Sequence, residues 1–184
     1  CSAWFKETGR KPTQKTANSQ TESKDDASVE SSSKAKSNSR SASKKKGWLG
    51  VKLKVGKPKA HEDVERLMSV REAVGKEMHI MVDANTSFTV AEAIKRAKAF
   101  EPIDLFWLEE PLPADDVTGH ARLAAATSIP VAVGETMYSA MQFQQYLHQN
   151  AVGIVQVDVA RVGGITPWLK VAHMAESFNV KVCP

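Results

Sequence analysis

From residue 47 onward the chain alternates short apolar runs with longer stretches in which apolar residues recur every three or four positions. The runs "GVKLKVG", "HIMVDAN", "LFWLEEP", "PVAVGE", "GIVQVD" and the final "NVKVC" read as strands. Most are near-continuous rather than alternating, the pattern of strands buried on both faces of a parallel sheet. The stretches between them read as helices: "AHEDVERLMSVREAVG", "TVAEAIKRAKAF", "GHARLAAATS", "SAMQFQQYLHQN" and "TPWLKVAHMAESF". In the first helix Val64, Leu67, Met68 and Val74 are expected on the buried side, with Gly75 as the stop. Thr89 and Glu92 have the spacing of a capping box, and the last helix is expected to open on a Thr cap with a proline in its first turn. Regular alternation of strand and helix predicts an α/β fold with a parallel sheet, either a barrel or an open doubly wound sheet.

Composition divides the chain in two. Residues 1 to 47 hold eleven Ser, eleven Lys or Arg and five Asp or Glu, a net charge of +6. Such a segment cannot bury enough apolar surface to offset its ordering entropy, so residues 1–47 are expected to be a disordered basic low-complexity stretch. The "KKK" at Lys44 to Lys46 is suited to nucleic acid or an acidic surface, but a solvated linker, or sequence foreign to the domain, accounts better for the composition. Residues 48 to 184 carry a net charge of −2 and form the expected folded domain. Nothing in this domain suggests nucleic-acid binding, and no run approaches the roughly 20 apolar residues of a membrane span. Cys1 and Cys183 are the only cysteines, which argues against a disulfide framework and fits a reducing cytoplasm.

Four acids set the choice between barrel and open sheet. Asp83, Glu109, Glu135 and Asp158 each stand at the carboxyl end of an expected strand, spaced 26, 26 and 23 residues apart. Lys52 and Lys54 occupy an equivalent strand end, with Lys54 29 residues before Asp83. In a (β/α)8 barrel such ends form a ring and supply catalytic residues, whereas in an open sheet they spread along a line. No GxGxxG or Walker loop supports a nucleotide-binding sheet, and "RVGGI" reads as a turn into the last helix. Converging carboxylates need a counter-charge. Two of them about 4 Å apart repel by about 4 kcal/mol at an effective dielectric near 20. Hard oxygen donors without Cys or His suit Mg²⁺.

The motifs "KLKVG", "MVDAN", "WLEEP", "VGE" and "VDVARVGGI", in this order and at this spacing, resemble the enolase superfamily in its mandelate racemase branch. The resemblance covers residues 47 to 184. It implies a partial (β/α)8 barrel, about the second to seventh strands. It also implies Mg²⁺ as cofactor, held by Asp83, Glu109 and Glu135, with Glu110 outside the set. Lys54 matches a catalytic base. Lys52 matches the lysine beside the substrate carboxylate, which can lower the pKa of its neighbour. Asn85 matches a position that contacts substrate, and Asp158 an acid that orients a catalytic histidine. Arg161 reads as structural. The implied chemistry is removal of the proton beside a carboxylate to give an enediolate. Among the branch's reactions "KPKAHEDVERLMSVREAVG", "EEPLPADDVTGHARLAAATSIPVAVGE" and "VARVGGITPWLK" look most like sugar-acid dehydratases of the galactarate or talarate type, with a racemase as the alternative. The expected partner is a small sugar-acid substrate, and members of the family tend to be homo-oligomers. The family's histidine would fall just after Pro184, so this chain is expected to be truncated and inactive alone. A separate reading from composition is a noncatalytic barrel remnant with a basic interaction tail.

Overall fold

The computed structural model describes residues 48–184. The expectations for residues 1–47 lie outside the described residues. Six strands form one parallel sheet: β1 (Gly50–Lys54), β2 (His79–Asp83), β3 (Trp107–Glu109), β4 (Val131–Val133), β5 (Ile154–Val155) and β6 (Lys181–Val182). Each strand pairs only with its neighbours in sequence, in the order β1 to β6. A helix follows each of the first five strands: α1 (Ala60–Val74), α2 (Val90–Phe100), α3 (Val117–Ala124), α4 (Ala140–His148) and α5 (Ile165–Ser177). Sequential order with a helix between every parallel pair is the winding of a (β/α) barrel, here a partial one. A doubly wound sheet reverses its strand order part-way, and this one does not.

Side-chain alternation sorts the sheet into two faces. Ile80, Val82, Leu108, Val131, Val133 and Val155 face the helices, where they join Leu67, Ala97, Phe100, Phe143 and Leu147 in the main core. Met81, Trp107, Ala132 and Ile154 face the other way and form a second, smaller apolar cluster, against which Phe106 and Cys183 pack. This second cluster lines the face of the sheet turned away from the helices. Above it, toward the carboxyl ends of the strands, the inner face becomes charged.

Local signals explain most helix ends. Thr89 accepts from the Glu92 N–H at 3.4 Å, giving one half of the expected capping box. Asp116 accepts from the Gly119 N–H at 2.8 Å and starts α3 two residues before the expected stretch. Ser139 and Gln142 form a complete capping box on α4. Two expectations are corrected. Met68 is 50% exposed, and the buried face of α1 is Asp63, Leu67, Val70 and Val74. The start of α5 is capped by Gly164, with no side-chain cap, so Thr166 lies inside the helix. The "VGG" before it makes the turn: Gly163 and Gly164 have φ of 96° and 110°, where a side chain is strained.

A buried ionic knot ties α1 and α2 to the loop after β1. Arg96, 3% exposed, donates to Asp63 Oδ2 at 2.8 Å, to Glu92 Oε1 at 2.7 Å and to the Lys57 carbonyl at 2.7 Å. Asp63 Oδ2 also accepts the N–H groups of Gly56 and Lys57, and Oδ1 accepts from Arg66. The carboxylate has no unpaired oxygen, which is what makes its complete burial tolerable. At the opposite end of the strands Arg71 donates to the carbonyls of Ile103, Gly75, Met78 and Asp104. No helix among the described residues is long and apolar enough to cross a membrane.

Candidate active site

Strand register places Lys54 beside Asp83 and Asp83 beside Glu109, one row across β1, β2 and β3. Lys52 stands two residues before Lys54 and so projects from the same face. Lys54, Asp83 and Glu109 are the last residues of their strands, where the sheet gives way to loops. Lys54 Nζ donates to Asp83 Oδ2 at 2.5 Å. Lys52 Nζ donates to Glu109 Oε1 at 2.7 Å and stands 3.7 Å from Asp83 Oδ2. Glu109 Oε2 accepts the Trp107 indole N–H at 2.9 Å. Asp83 and Glu109 are 1% and 0% exposed, so each buried charge is matched by a lysine cation.

The loops add two further acids. Glu135 follows β4, half-buried, and among the described residues its carboxylate has no hydrogen-bond or ion-pair partner. Glu110 is buried, at a φ of 40°, and accepts from the Thr136 hydroxyl at 2.6 Å. Burial raises the Glu110 pKa above the ordinary carboxylate value; the Thr136 hydrogen bond opposes this, and the charges of Glu135, Asp83 and Glu109 add to it. Lys52 responds in the opposite sense. Burial acts to lower its pKa, but the Glu109 hydrogen bond and the charges of Glu109, Asp83 and Glu135 outweigh burial and leave it above the ordinary lysine value. The four acids therefore share one electrostatic field. Sequence reasoning set Glu110 aside; the pairing with Thr136, 26 residues away, has no local signature.

Asn85 and Asp158 stand differently. Asn85 is exposed at a φ of 44°, and its backbone N–H, rather than its side chain, meets Asp83 Oδ1 at 3.0 Å. Asp158 lies beyond the end of β5, which stops at Val155, so its expected strand-end placement is corrected to a loop. It is exposed, and Oδ1 accepts the N–H groups of Ala160 and Arg161 at 2.8 and 2.9 Å. The Arg161 N–H is the main reason its carboxyl sits below the usual range. Arg161 itself reaches the Tyr138 hydroxyl at 2.9 Å.

Among the described residues, no three Asp, Glu, His or Cys side chains are gathered closely enough to hold a metal ion. The lysines account for this at Asp83 and Glu109, whose oxygens point at ammonium groups. The donor chemistry still fits a hard divalent cation. Asp83, Glu109, Glu110 and Glu135 bring four carboxyl groups against two lysines, all oxygen donors, with a charge deficit on the cation side.

Residues 34–184 match the family model described as enolase C-terminal domain-like. The L-talarate/galactarate dehydratase of Salmonella typhimurium LT2 is 45% identical over 77% of this chain and 36% of its own length. The crystal structure of a Streptomyces coelicolor A3(2) racemase with bound magnesium superposes with a TM-score of 0.78, at 34% identity over 84% of this chain and 43% of that one. The L-talarate dehydratase of Polaromonas sp. JS666, complexed with Mg and L-glucarate, gives a TM-score of 0.75 at 41% identity, over 77% of this chain and 40% of that one. The chain thus spans less than half the length of each of these proteins. With its motifs, its strand order and a family match over most of its length in agreement, the chain belongs to the enolase C-terminal domain-like family.

Proposed function

We propose that the chain carries the catalytic face of a Mg²⁺-dependent enzyme that removes the proton beside the carboxylate of a sugar acid and expels the neighbouring hydroxyl. The observation that carries this reading is the row of Lys54, Asp83, Lys52 and Glu109, buried acids paired with lysines at adjacent strand ends. The 45% identity to an L-talarate/galactarate dehydratase supports dehydration as the outcome.

In this reading Asp83, Glu109 and Glu135 hold Mg²⁺. When bound, the ion would supply positive charge to the substrate carboxylate as negative charge builds on it. Lys52 and Lys54 must first leave Glu109 and Asp83, because those oxygens are engaged with ammonium groups. While paired with Glu109, Lys52 has its pKa held above the ordinary lysine value, and in this reading it serves as a fixed cation beside the substrate carboxylate. Lys54, at the outer edge of the row and more exposed, is the base that takes the proton. Asn85 contributes a polar group at the rim. Asp158 retains Oδ2, which has no hydrogen bond among the described residues, to orient a second base. Exposed Ile165 and Leu169, one turn apart on α5, support self-association as part of the same reading.

Glu109→Gln tests the metal assignment. It removes one ligand charge and should weaken Mg²⁺ binding measured by calorimetry; equal affinity in both proteins rejects the assignment. A racemase is the second reading, favoured by the likeness to the Streptomyces coelicolor structure. Incubation with Mg²⁺ and galactarate in deuterated water separates the two. Dehydration yields a 2-keto-3-deoxy acid, and racemisation yields an α-deuterated acid that keeps every hydroxyl.

A further inference from the structure

Gln156 is a buried polar side chain on the inner face to which the proposed chemistry gives no task. It is 6% exposed, and among the described residues its Oε1 is buried with no hydrogen-bond partner. Leaving a buried carbonyl oxygen unpaired costs about 1 to 3 kcal/mol. A hydrophobic residue of similar size would avoid that cost, so the amide needs a reason to be there.

Its direction follows from alternation. Val155 and Val157 both belong to the core between sheet and helices, while Ile154 belongs to the inner cluster. Gln156 lies between the two valines and two residues after Ile154, so it projects inward. The Gln156 N–H donates to the Val133 carbonyl at 2.9 Å and continues the β4–β5 ladder, which fixes the backbone. Gly134 lies against it: a Cβ there would stand 2.6 Å from the Gln156 carbonyl oxygen. The amide therefore sits near the carboxyl ends of β4 and β5, above Ala132 and Ile154. The charged row occupies β1 to β3, with Glu135 after β4. The far side of the inner face is formed by Ala132, Ile154, Gln156 and Cys183, with exposed Lys181 beside Ile154 at the start of β6.

We propose that Gln156 reads a hydroxyl group of a polyhydroxy carboxylate whose acid end lies at the Lys52–Asp83–Glu109 row. A hydroxyl both donates and accepts, as does an amide, so it satisfies Oε1 and the NH₂ group together. A dicarboxylate without hydroxyls has no donor for Oε1. Gln156 is then a specificity residue, since a site with a buried polar group rejects analogues that leave it unpaired. This inference rests on the reading of the inner face as a sugar-acid site.

The test uses the ¹⁵N-labelled chain with saturating Mg²⁺, with the Gln156 side-chain amide signals identified by their loss in Gln156→Leu. Galactarate should shift these signals, and adipate, the same carbon chain without hydroxyls, should not. By calorimetry Gln156→Leu should lower galactarate affinity about tenfold, as loss of one hydrogen bond implies, and leave adipate affinity unchanged. The variant should melt no lower than the parent, because it removes an unpaired buried group. Unmoved amide signals, or an equal loss of affinity for both acids, overturn the inference. Failure of the metal reading shows separately, as Mg²⁺ affinity unchanged by Glu109→Gln; a galactarate-specific shift at Gln156 would still stand in that case.

Discussion

Lys52 on β1 reaches over β2 to place its ammonium 2.7 Å from Oε1 of Glu109 on β3. Two inter-strand spacings amount to about 9.6 Å in a flat sheet, a gap that the long lysine and glutamate side chains close from the same face. One cation on β1 thus serves acids on both β2 and β3.

That ammonium competes with any cation for the same oxygen. Lys52→Met should therefore raise Mg²⁺ affinity, by about tenfold if a charge-assisted hydrogen bond of about 1.5 kcal/mol is relieved. Calorimetry at fixed pH measures it. Unchanged or weaker binding would show that the lysine does not compete.

His120 makes folding pH-dependent. It is fully buried between α3 and α4, with Nδ1 2.8 Å from the Asp116 carbonyl and 3.0 Å from the Tyr146 hydroxyl, which donates to the Ala114 carbonyl. Nε2 is buried and has no partner among the described residues. A proton on Nε2 would find no acceptor, and burial holds the pKa below its ordinary value of 6.5. The unfolded chain takes up the proton first, so stability is greatest above the unfolded pKa and falls as pH drops below it. Urea midpoints should show a loss of about 1 kcal/mol between roughly pH 7.5 and 5.5, and His120→Phe should remove that slope. A slope equal in both proteins places the effect elsewhere.

Arg96→Met should be costly. It leaves Asp63 buried with one cation fewer and frees the Lys57 carbonyl and Glu92. Breaking a buried pair from one side costs about 3 to 5 kcal/mol. A urea midpoint shifted by less than about 1 kcal/mol would mean that Arg66 alone neutralises Asp63.

Gly134→Ala and Gly164→Ala separate crowding from backbone strain. Both glycines have positive φ, 139° and 110°. At Gly134 the new Cβ meets Gln156 O at 2.6 Å and Phe143 Cε1 at 2.8 Å, whereas at Gly164 nothing lies within 4 Å. The first variant should be less stable than the second by about 1 to 3 kcal/mol, the range for overpacking. Equal midpoints would show that β4 and β5 can move apart.

Apolar runs made the strands legible, because strands covered on both faces leave a period-free signal that polar loops interrupt. The acids at their ends were legible for the same reason: each breaks an apolar run at its carboxyl end. What failed was local or long-range. Asp158 was read as ending a strand, but its carboxylate bonds to the N–H groups of Ala160 and Arg161, a short-range alternative to the ladder. Met68 was read as buried because apolar periodicity cannot see that a charged residue, Asp63, takes a place on the inner face of α1. The partnerships of Glu110 with Thr136 and of Lys52 with Glu109 join residues 26 and 57 apart. Only the folded sheet brings such pairs together. Gln156 lay inside a recognised strand motif, and its one signal was an amide set among the apolar residues of "GIVQV".

The knot of Asp63, Arg96 and the two N–H groups after β1 bears on how the rim accommodates ligands of different size. The loop that follows Lys54 is clamped from beneath at Gly56 and Lys57 and has no slack. The loop around Asp158 bonds to itself and to an exposed tyrosine, with Val162 and the Trp168–Val157 hydrogen bond as its anchors to the core. One wall of the mouth is thus held by buried charges and the other by a single buried valine and one indole hydrogen bond, so adaptation to a longer or bulkier molecule falls to the Asp158 side.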